Sequence, residues 1–374
     1  MLKIGINALA VRRLFGSSAE TYPRYLLPEL LLAAPEAQFV LFFREGLEWP
    51  LDQSVKNLRI ERISVPRHPV GRVLMEHWAL RRYARELDLL FCPYNMGLIG
   101  YNSPSVVYLH THPEHQRALS FKHHLWFQFL VPGTLRSAAA VLCPTEDARR
   151  MILRTMSLSP DRVHVVRHGY ASAFRAGVEP GDVEILRRLG ISRPFVLYVG
   201  SVSWWKDLDT LVLAFDRVHR DLQPLQLVIC GLVADQRCAH SLREIISGLD
   251  CRESIVFPGV LDENELRALY CSTAASVLAS QCETFGMPAI EAMACGSPLI
   301  ASDIPVLREV VGGGGLLVNT RNVEEFAASL RRVLTDSEEQ RRLQLAGPTA
   351  ARQYSWGRAA RETLEIFRSV VSIS

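Results

Sequence analysis

From Ser280 to Ala301 the chain reads Ser-Gln-Cys-Glu-Thr-Phe-Gly-Met-Pro-Ala-Ile-Glu-Ala-Met-Ala-Cys-Gly-Ser-Pro-Leu-Ile-Ala. Small polar residues open it, a carboxylate follows at Glu283, and the backbone turns at Gly286. Pro288 suits the first turn of a helix, where a missing N–H removes no hydrogen bond. Residues 289–295 are good helix formers, and Gly296 is a stop ahead of Pro298. Leu299-Ile300-Ala301 then has the composition of a short buried strand. A helix that starts just after Glu283 and carries Glu291 in its first turns has chemical consequences. Its unpaired N–H groups and positive dipole end favour an anion such as phosphate. An ionised Glu291 accepts two hydrogen bonds at once, as a diol requires. Two carboxylates flanking such a helix start point to a nucleotide sugar. The competing reading is dipole stabilisation by Glu291 beside a solvated Glu283.

Working outward, the 374 residues suit two domains, each able to bury its own core. Hydrophobic content of 48% with 22% charged residues is ordinary for an α/β protein. The net charge of +3 is unevenly placed: residues 1–178 carry 22 Lys and Arg against 14 Asp and Glu, and residues 179–374 carry 20 against 25. A basic half beside an acidic half predicts an anionic partner for the first. The 8 cysteines form no Cys-x-x-Cys pair and several sit in apolar runs, which predicts buried free thiols in a reducing compartment. The N-terminus begins at once as a strand without signal-peptide character, and no uncharged apolar run reaches membrane-span length. These features predict a cytoplasmic protein, with peripheral contact at the inner face of a membrane.

Strands are predicted at residues 2–8, 38–43, 58–63, 87–92, 105–110, 138–143 and 163–167, separated by helical segments as in a parallel sheet. The first strand leads through a loop containing Gly16 to a helix that we start at Thr21, which keeps Pro23 in its first turn. Residues 72–86 pattern as a helix with Arg72, Arg81, Arg82 and Arg85 outward and Leu74, Met75 and Trp78 for burial. Residues 121–131 place Trp126, Phe127 and Phe129 next to Lys122, His123 and His124. Basic and aromatic residues together suit an anionic membrane surface, against the plainer reading of core aromatics and a solvated arginine face. His110 closes a strand, at the edge where open α/β sheets bind ligands. With His112, Glu114 and His115 it also has the makings of a metal site, but sequence supplies no complete ligand set.

The stretch 171–193 reads as a connector, with a domain break at 178/179. The sheet pattern restarts at Phe195, and strands follow at 225–230, 254–257, 274–278, 298–301 and 316–318. Between Gly200 and the next helix, Gly-Ser-Val-Ser-Trp-Trp-Lys ends in Lys206, a point charge suited to a diphosphate. Gly312–315 lacks the lysine and hydroxyl of a phosphate loop and reads as a flexible turn. Residues 331–353 pattern as one charged helix and 356–370 as a last amphipathic one.

Glu283-x7-Glu291, inside Glu-Thr-Phe-Gly-Met-Pro-Ala-Ile-Glu-Ala-Met-Ala-Cys-Gly-Ser-Pro, resembles the signature of retaining glycosyltransferases of family 4. The resemblance covers nearly the whole chain. It implies an α/β fold of two facing Rossmann-like domains with parallel sheets, the GT-B architecture. The domains would be residues 1–178 on the acceptor side and 179–355 on the donor side, with 356–374 a final helix returning to the first. It further implies a cytoplasmic, metal-independent transfer from a nucleotide-diphosphate sugar to a glycan or lipid-linked acceptor, with no cofactor and no nucleic acid.

Carried over by position, Glu291 would hold the ribose, and Glu283 with Thr284, Phe285 and Gly286 the sugar. Lys206, Gly200, Ser201 and Gly16 would meet the diphosphate, and Val260 and Leu261 the base. His110 would contact the transferred sugar, making His110, Lys206 and Glu283 the catalytic set. Many members carry arginine where Ser201 stands, so this chain has one of two expected cations. A nucleotide-sugar 2-epimerase and a non-catalytic nucleotide-sugar-binding protein are the alternatives.

Overall fold

Short apolar strands alternating with amphipathic helices demand a parallel sheet covered on both faces. A computed structural model of the chain describes residues 1–11, 18–47, 55–66, 68–83, 86–101, 103–110 and 130–373. It divides into two units, Met1–Gly169 with Ser355–Ser374, and Tyr170–Tyr354. In the first, β1 (Lys3–Asn7), β2 (Gln38–Arg44), β3 (Leu58–Ile63), β4 (Leu89–Cys92), β5 (Ser105–Tyr108), β6 (Ala140–Cys143) and β7 (Val163–Val165) pair in parallel in the order β3-β2-β1-β4-β5-β6-β7. The second unit holds β8 (Phe195–Val199), β9 (Gln226–Cys230), β10 (Ile255–Gly259), β11 (Ala275–Leu278), β12 (Leu299–Ser302) and β13 (Leu316–Val318). Their order is β10-β9-β8-β11-β12-β13, again parallel.

Each sheet starts at its centre, runs to one edge, and resumes on the other side of its first strand. That reversal opens a crevice at the carboxyl ends of β1 and β4, and of β8 and β11, where such sheets bind ligands. The central strands β4, β5, β6 and β11 are buried along their whole length, as two covered faces require.

The break between the units lies earlier than 178/179, and the reason is a buried cation. Arg267, on the helix Glu263–Ser272, pairs with the buried Asp182 and donates to the Gly177 carbonyl at 3.2 Å, which ties the connector into the second unit. The last helix, Trp356–Ile373, belongs to the first unit: Phe367 packs on Phe91 at 5.1 Å between ring centroids, and Trp356 stacks on Tyr25 at 5.7 Å.

Other expectations change for local reasons. The first helix begins at Ser18, not Thr21, and carries Pro23 and Pro28 within it. Burial of Tyr22, Leu26, Leu27 and Leu30 offsets the hydrogen bonds those prolines remove. Residues 331–353 are two helices, Val323–Thr335 and Ser337–Ala351, because Asp336 ends one and caps the other by accepting from Glu338 and Glu339 N–H at 3.0 Å. In the Gly312–Gly314 turn the first two glycines are exposed with open space around them, whereas Gly314 is packed, and a Cβ there would lie 2.5 Å from Met293 Sδ.

The helix Pro69–Tyr83 differs most from its pattern. Arg72 is buried in an ion pair with Glu76 at 3.3 Å, whereas Leu74 and Trp78 are 67% and 68% exposed. The apolar residues facing the core are Val73, Ala79 and Leu80.

Candidate functional site

The second unit gathers its polar residues at the carboxyl ends of β8 and β11. Past β8 the backbone must turn sharply beside its neighbour. Gly231, after β9, adopts φ +139°, and a Cβ there would lie 2.0 Å from the Gly200 carbonyl oxygen. The loop then passes Ser201 and Ser203, whose hydroxyls are 2.8 Å apart, and closes in a single turn over Trp204–Lys206. Gln281 N–H donates to the Trp205 carbonyl at 2.7 Å, stitching this loop to the one leaving β11.

That stitch brings Lys206 and Glu283 together. Both are buried, and Lys206 Nζ donates to Glu283 Oε1. Ser280 Oγ donates to the same oxygen at 2.7 Å. A buried charge is tolerated when it is paired and hydrogen-bonded, and each of these groups supplies the other's need. Just beyond, Gly286 adopts φ +90° and stands at the N-cap of the helix Met287–Ala294, with no side chain capping it. Pro288 has no N–H and the Ala289 N–H donates to the Gly286 carbonyl at 2.9 Å, so what this helix start offers an anion is chiefly its positive dipole end. Phe285 is buried edge-on against Tyr354 at 5.6 Å, which fixes the backbone leading into the turn.

Glu291, half-buried on that helix, accepts a hydrogen bond from Tyr270 Oη at 3.1 Å. Burial pushes its carboxyl up to about 7, opposed by the Tyr270 hydrogen bond and assisted by the charge of Glu263. The loop after β10 carries Val260, 62% exposed, and the half-buried Leu261. A cavity of about 350 Å³ opens on the flank, lined by Ser203, Trp204, Asp207, Arg237 and Gln281 among others. Lys206, Glu283 and Glu291 lie outside its lining.

In the first unit His110 follows β5 and is buried. Its backbone N–H donates to Asn95 Oδ1 at 2.6 Å. Its Nε2 lies 2.7 Å from the Pro93 carbonyl, a contact only an Nε2–H can make. The tautomer is thereby set, and the buried Nδ1 is left as an acceptor without a partner among the described residues. Desolvation lowers the imidazole pKa to about 4, against the opposing pull of the Pro93 hydrogen bond, so the ring is neutral at physiological pH. Tyr22, Tyr108 and His168 surround it at ring-centroid distances of 4.9, 4.5 and 5.4 Å.

Of the residues singled out in the sequence, Gly200, Ser201, Lys206, Glu283, Thr284, Phe285, Gly286, Glu291, Val260 and Leu261 all lie in the second unit, and His110 in the first. Gly16, His112, Glu114, His115, Arg85 and the aromatic segment 121–129 lie outside the described residues. Among the described residues no group of three His, Cys, Asp or Glu side chains is placed to hold a metal ion. Sequence reasoning passed over Ser280 and Tyr270, which hold Glu283 and Glu291. Ser280 was legible as a hydroxyl three residues before a carboxylate. Tyr270 was not, since nothing in the sequence ties a helix end to a residue far downstream.

Residues 30–173 match the family model described as Glycosyltransferase Family 4, and residues 184–349 the one described as Glycosyl transferases group 1. Alpha-maltose-1-phosphate synthase of Mycolicibacterium smegmatis is 32% identical over 252 residues, covering 63% of this chain and 64% of that protein. A D-inositol 3-phosphate glycosyltransferase of Frankia alni is 30% identical over 257 residues, 66% of this chain and 61% of that protein. The match thus spans less than two thirds of either relative's length. Among solved structures, sucrose-phosphate synthase of Thermosynechococcus elongatus is similar with TM-score 0.78 at 19% identity, covering 100% of both chains. Anabaena Alr3699/HepE, solved with UDP and glucose, gives TM-score 0.78 at 18% identity, covering 99% of this chain and 100% of that one. At such identities these two likenesses speak to the fold alone.

Proposed function

The chain belongs to the family-4 type of glycosyltransferases, with the two-domain α/β architecture of the GT-B group, and on that premise we propose that it is a retaining glycosyltransferase that uses a nucleoside-diphosphate sugar without a metal ion. The observation that carries this reading is the cluster in the second unit, where the Lys206–Glu283 pair adjoins an uncapped helix start and Glu291 follows on the same helix. Glu291 accepts from the ribose hydroxyls. Lys206 and the positive end of the helix dipole receive the diphosphate, and Glu283 orients the sugar. Ser201 offers a hydroxyl where many members of the resembling family carry arginine, so Lys206 bears the charge alone in that loop.

In the transfer, the bond from the anomeric carbon to the diphosphate oxygen breaks with its electron pair going to the leaving group. The new bond forms from the acceptor hydroxyl oxygen on the same face, and that hydroxyl's proton passes to the departing phosphate. No carboxylate base is required. Charge building on the diphosphate meets a preorganised ammonium and a helix dipole, which is where such sites gain most of their rate. In the first unit the neutral His110 presents Nδ1 as an acceptor for a sugar hydroxyl. The acceptor is a glycan or a lipid-linked glycan, reached from the cytoplasmic side with peripheral attachment to the bilayer.

Calorimetry with a panel of nucleoside diphosphates and their sugars, then mass spectrometry of products with candidate acceptors and excess chelator, tests this. A glycosylated product of retained anomeric configuration, formed in chelator, is the expected result. Interconversion of the donor without transfer would make the protein an epimerase. Binding without turnover on any acceptor would make it a sugar-nucleotide sensor.

A further inference from the structure

An α-helix advances about 100° per residue, so residues at intervals of three and four share a face. On the helix Pro69–Tyr83 the buried residues Arg72, Val73, Glu76, Ala79 and Leu80 fall on one side. Leu74 and Trp78 fall about 40° apart on the opposite side and are 67% and 68% exposed. Arg81 lies about 20° from Leu74 on one flank, and Arg82 about 40° beyond Trp78 on the other. Both arginines are exposed. Arg81 also donates to the Ile99 and Gly100 carbonyls at 2.7 and 3.3 Å, which anchors its flank of the stripe to the following loop.

The helix carries a single acid, Glu76, and that acid is turned inward against Arg72. Its outward face is thus two large apolar side chains bordered by cations, with no carboxylate of the helix beside them. Large exposed apolar residues bordered in this way mark contact surfaces. The charge on the borders selects among the possible occupants. Residues 1–178 carry 22 basic against 14 acidic residues, so an acidic surface is drawn and a second copy of the same basic face is repelled.

We propose that this helix face docks on an anionic lipid bilayer, with Leu74 and Trp78 entering the boundary between headgroups and acyl chains and Arg81 and Arg82 meeting lipid phosphates. Tryptophan and leucine on one side with arginines at the border is the composition of a helix lying in the interface plane. The proposal gives a definite anchor to the peripheral attachment argued above. It rests on that reading only for the identity of a lipid-linked acceptor, since bilayer binding is measurable with no sugar present.

The test is sedimentation of the whole chain with vesicles of phosphatidylcholine alone or mixed with phosphatidylglycerol, at low and high salt. Wild type should pellet with the mixed vesicles only, and less so in high salt. Arg82→Glu should cut partitioning about tenfold at low salt. Leu74→Ser with Trp78→Ser should cut it about a hundredfold at either salt. Lipids brominated near the headgroup should quench wild-type fluorescence more than that of Trp78→Phe. Nucleoside-diphosphate affinity by calorimetry should be the same in all these variants, which separates failure of the anchor from failure of the donor site. Undiminished pelleting of the double variant would overturn the proposal. So would self-association of the free wild type that the double variant abolishes, because the face would then be a protein interface.

Discussion

The two sheets share a strand order and each presents a crevice at the carboxyl ends of its central strands, yet the two edges are chemically opposite. In the second unit the edge carries charge: a buried ammonium–carboxylate pair, a second carboxylate, and an uncapped helix start. In the first, His110 sits neutral among Tyr22, Tyr108 and His168 and offers one lone pair. The fold decides where a ligand is met, and the side chains after each strand decide what is met. A diphosphate demands preorganised positive charge, and charge in a buried place demands a partner; on the proposed reading the pair at Lys206 serves both needs. A sugar hydroxyl demands only an acceptor, and on the proposed reading the His110 Nδ1 lone pair supplies one without any ion.

The comparison breaks hardest at the ion pair. Lys206→Met should leave Glu283 buried and uncompensated, lowering stability by about 3–5 kcal/mol in urea unfolding. It should also depress turnover far more than donor affinity, since the ammonium meets charge that grows in the transition state. Adding Glu283→Gln should recover most of the stability and none of the turnover. An unchanged kcat with only a raised KM would reduce Lys206 to a ground-state contact.

The neutral edge gives a prediction of opposite character. His110 binds its proton more weakly in the folded chain than in the unfolded one, and His168 does so too through burial and the proximity of His110. Between pH 6.5 and 4 the unfolded chain therefore holds more protons. Stability should be complete above the ordinary histidine value and fall as pH drops toward 4, by about 3 kcal/mol for His110. His110→Gln should flatten that slope, and chemical denaturation across the range reads it directly.

Smaller effects sharpen the ribose assignment. Glu291→Ala should weaken nucleoside-diphosphate binding about tenfold to a hundredfold, and more than Glu283→Ala does. Calorimetry showing the reverse order would exchange the two roles. If ribose hydroxyls donate to the ionised carboxylate as proposed, affinity should rise as pH increases through about 7 and level off above it. Tyr270→Phe removes the donor that favours ionisation, so the midpoint should move up and affinity at neutral pH should fall about threefold to tenfold.

Much of this was legible because it is written locally. The strands β3 and β13 fall where their alternation and apolar runs place them, and the turn–helix–strand around Glu283 and Glu291 follows from Gly286, Pro288 and Gly296. What was not legible depends on distant partners. The connector's allegiance rests on Arg267 reaching Asp182, and the partner of Glu291 comes from the preceding helix. Trp78 reads as core by residue type, yet the helix turns it out, because the inward face carries the Arg72–Glu76 ion pair with Val73, Ala79 and Leu80. Asp336 was a local signal that was missed: a capping residue inside a helical pattern that ends one helix and starts the next.

The first unit is discontinuous in sequence, and synthesis makes that a matter of timing. A ribosome releases Met1–Gly169, then all of Tyr170–Tyr354, and only then the helix that covers Phe91 with Phe367. The second unit can close as soon as its own strands have emerged, whereas the first waits with an apolar gap until the helix Trp356–Ile373 has followed. A nascent chain arrested anywhere in the second unit would therefore expose the unfinished face of the first, and loss of the helix Trp356–Ile373 would injure a unit whose strands were all made before the second.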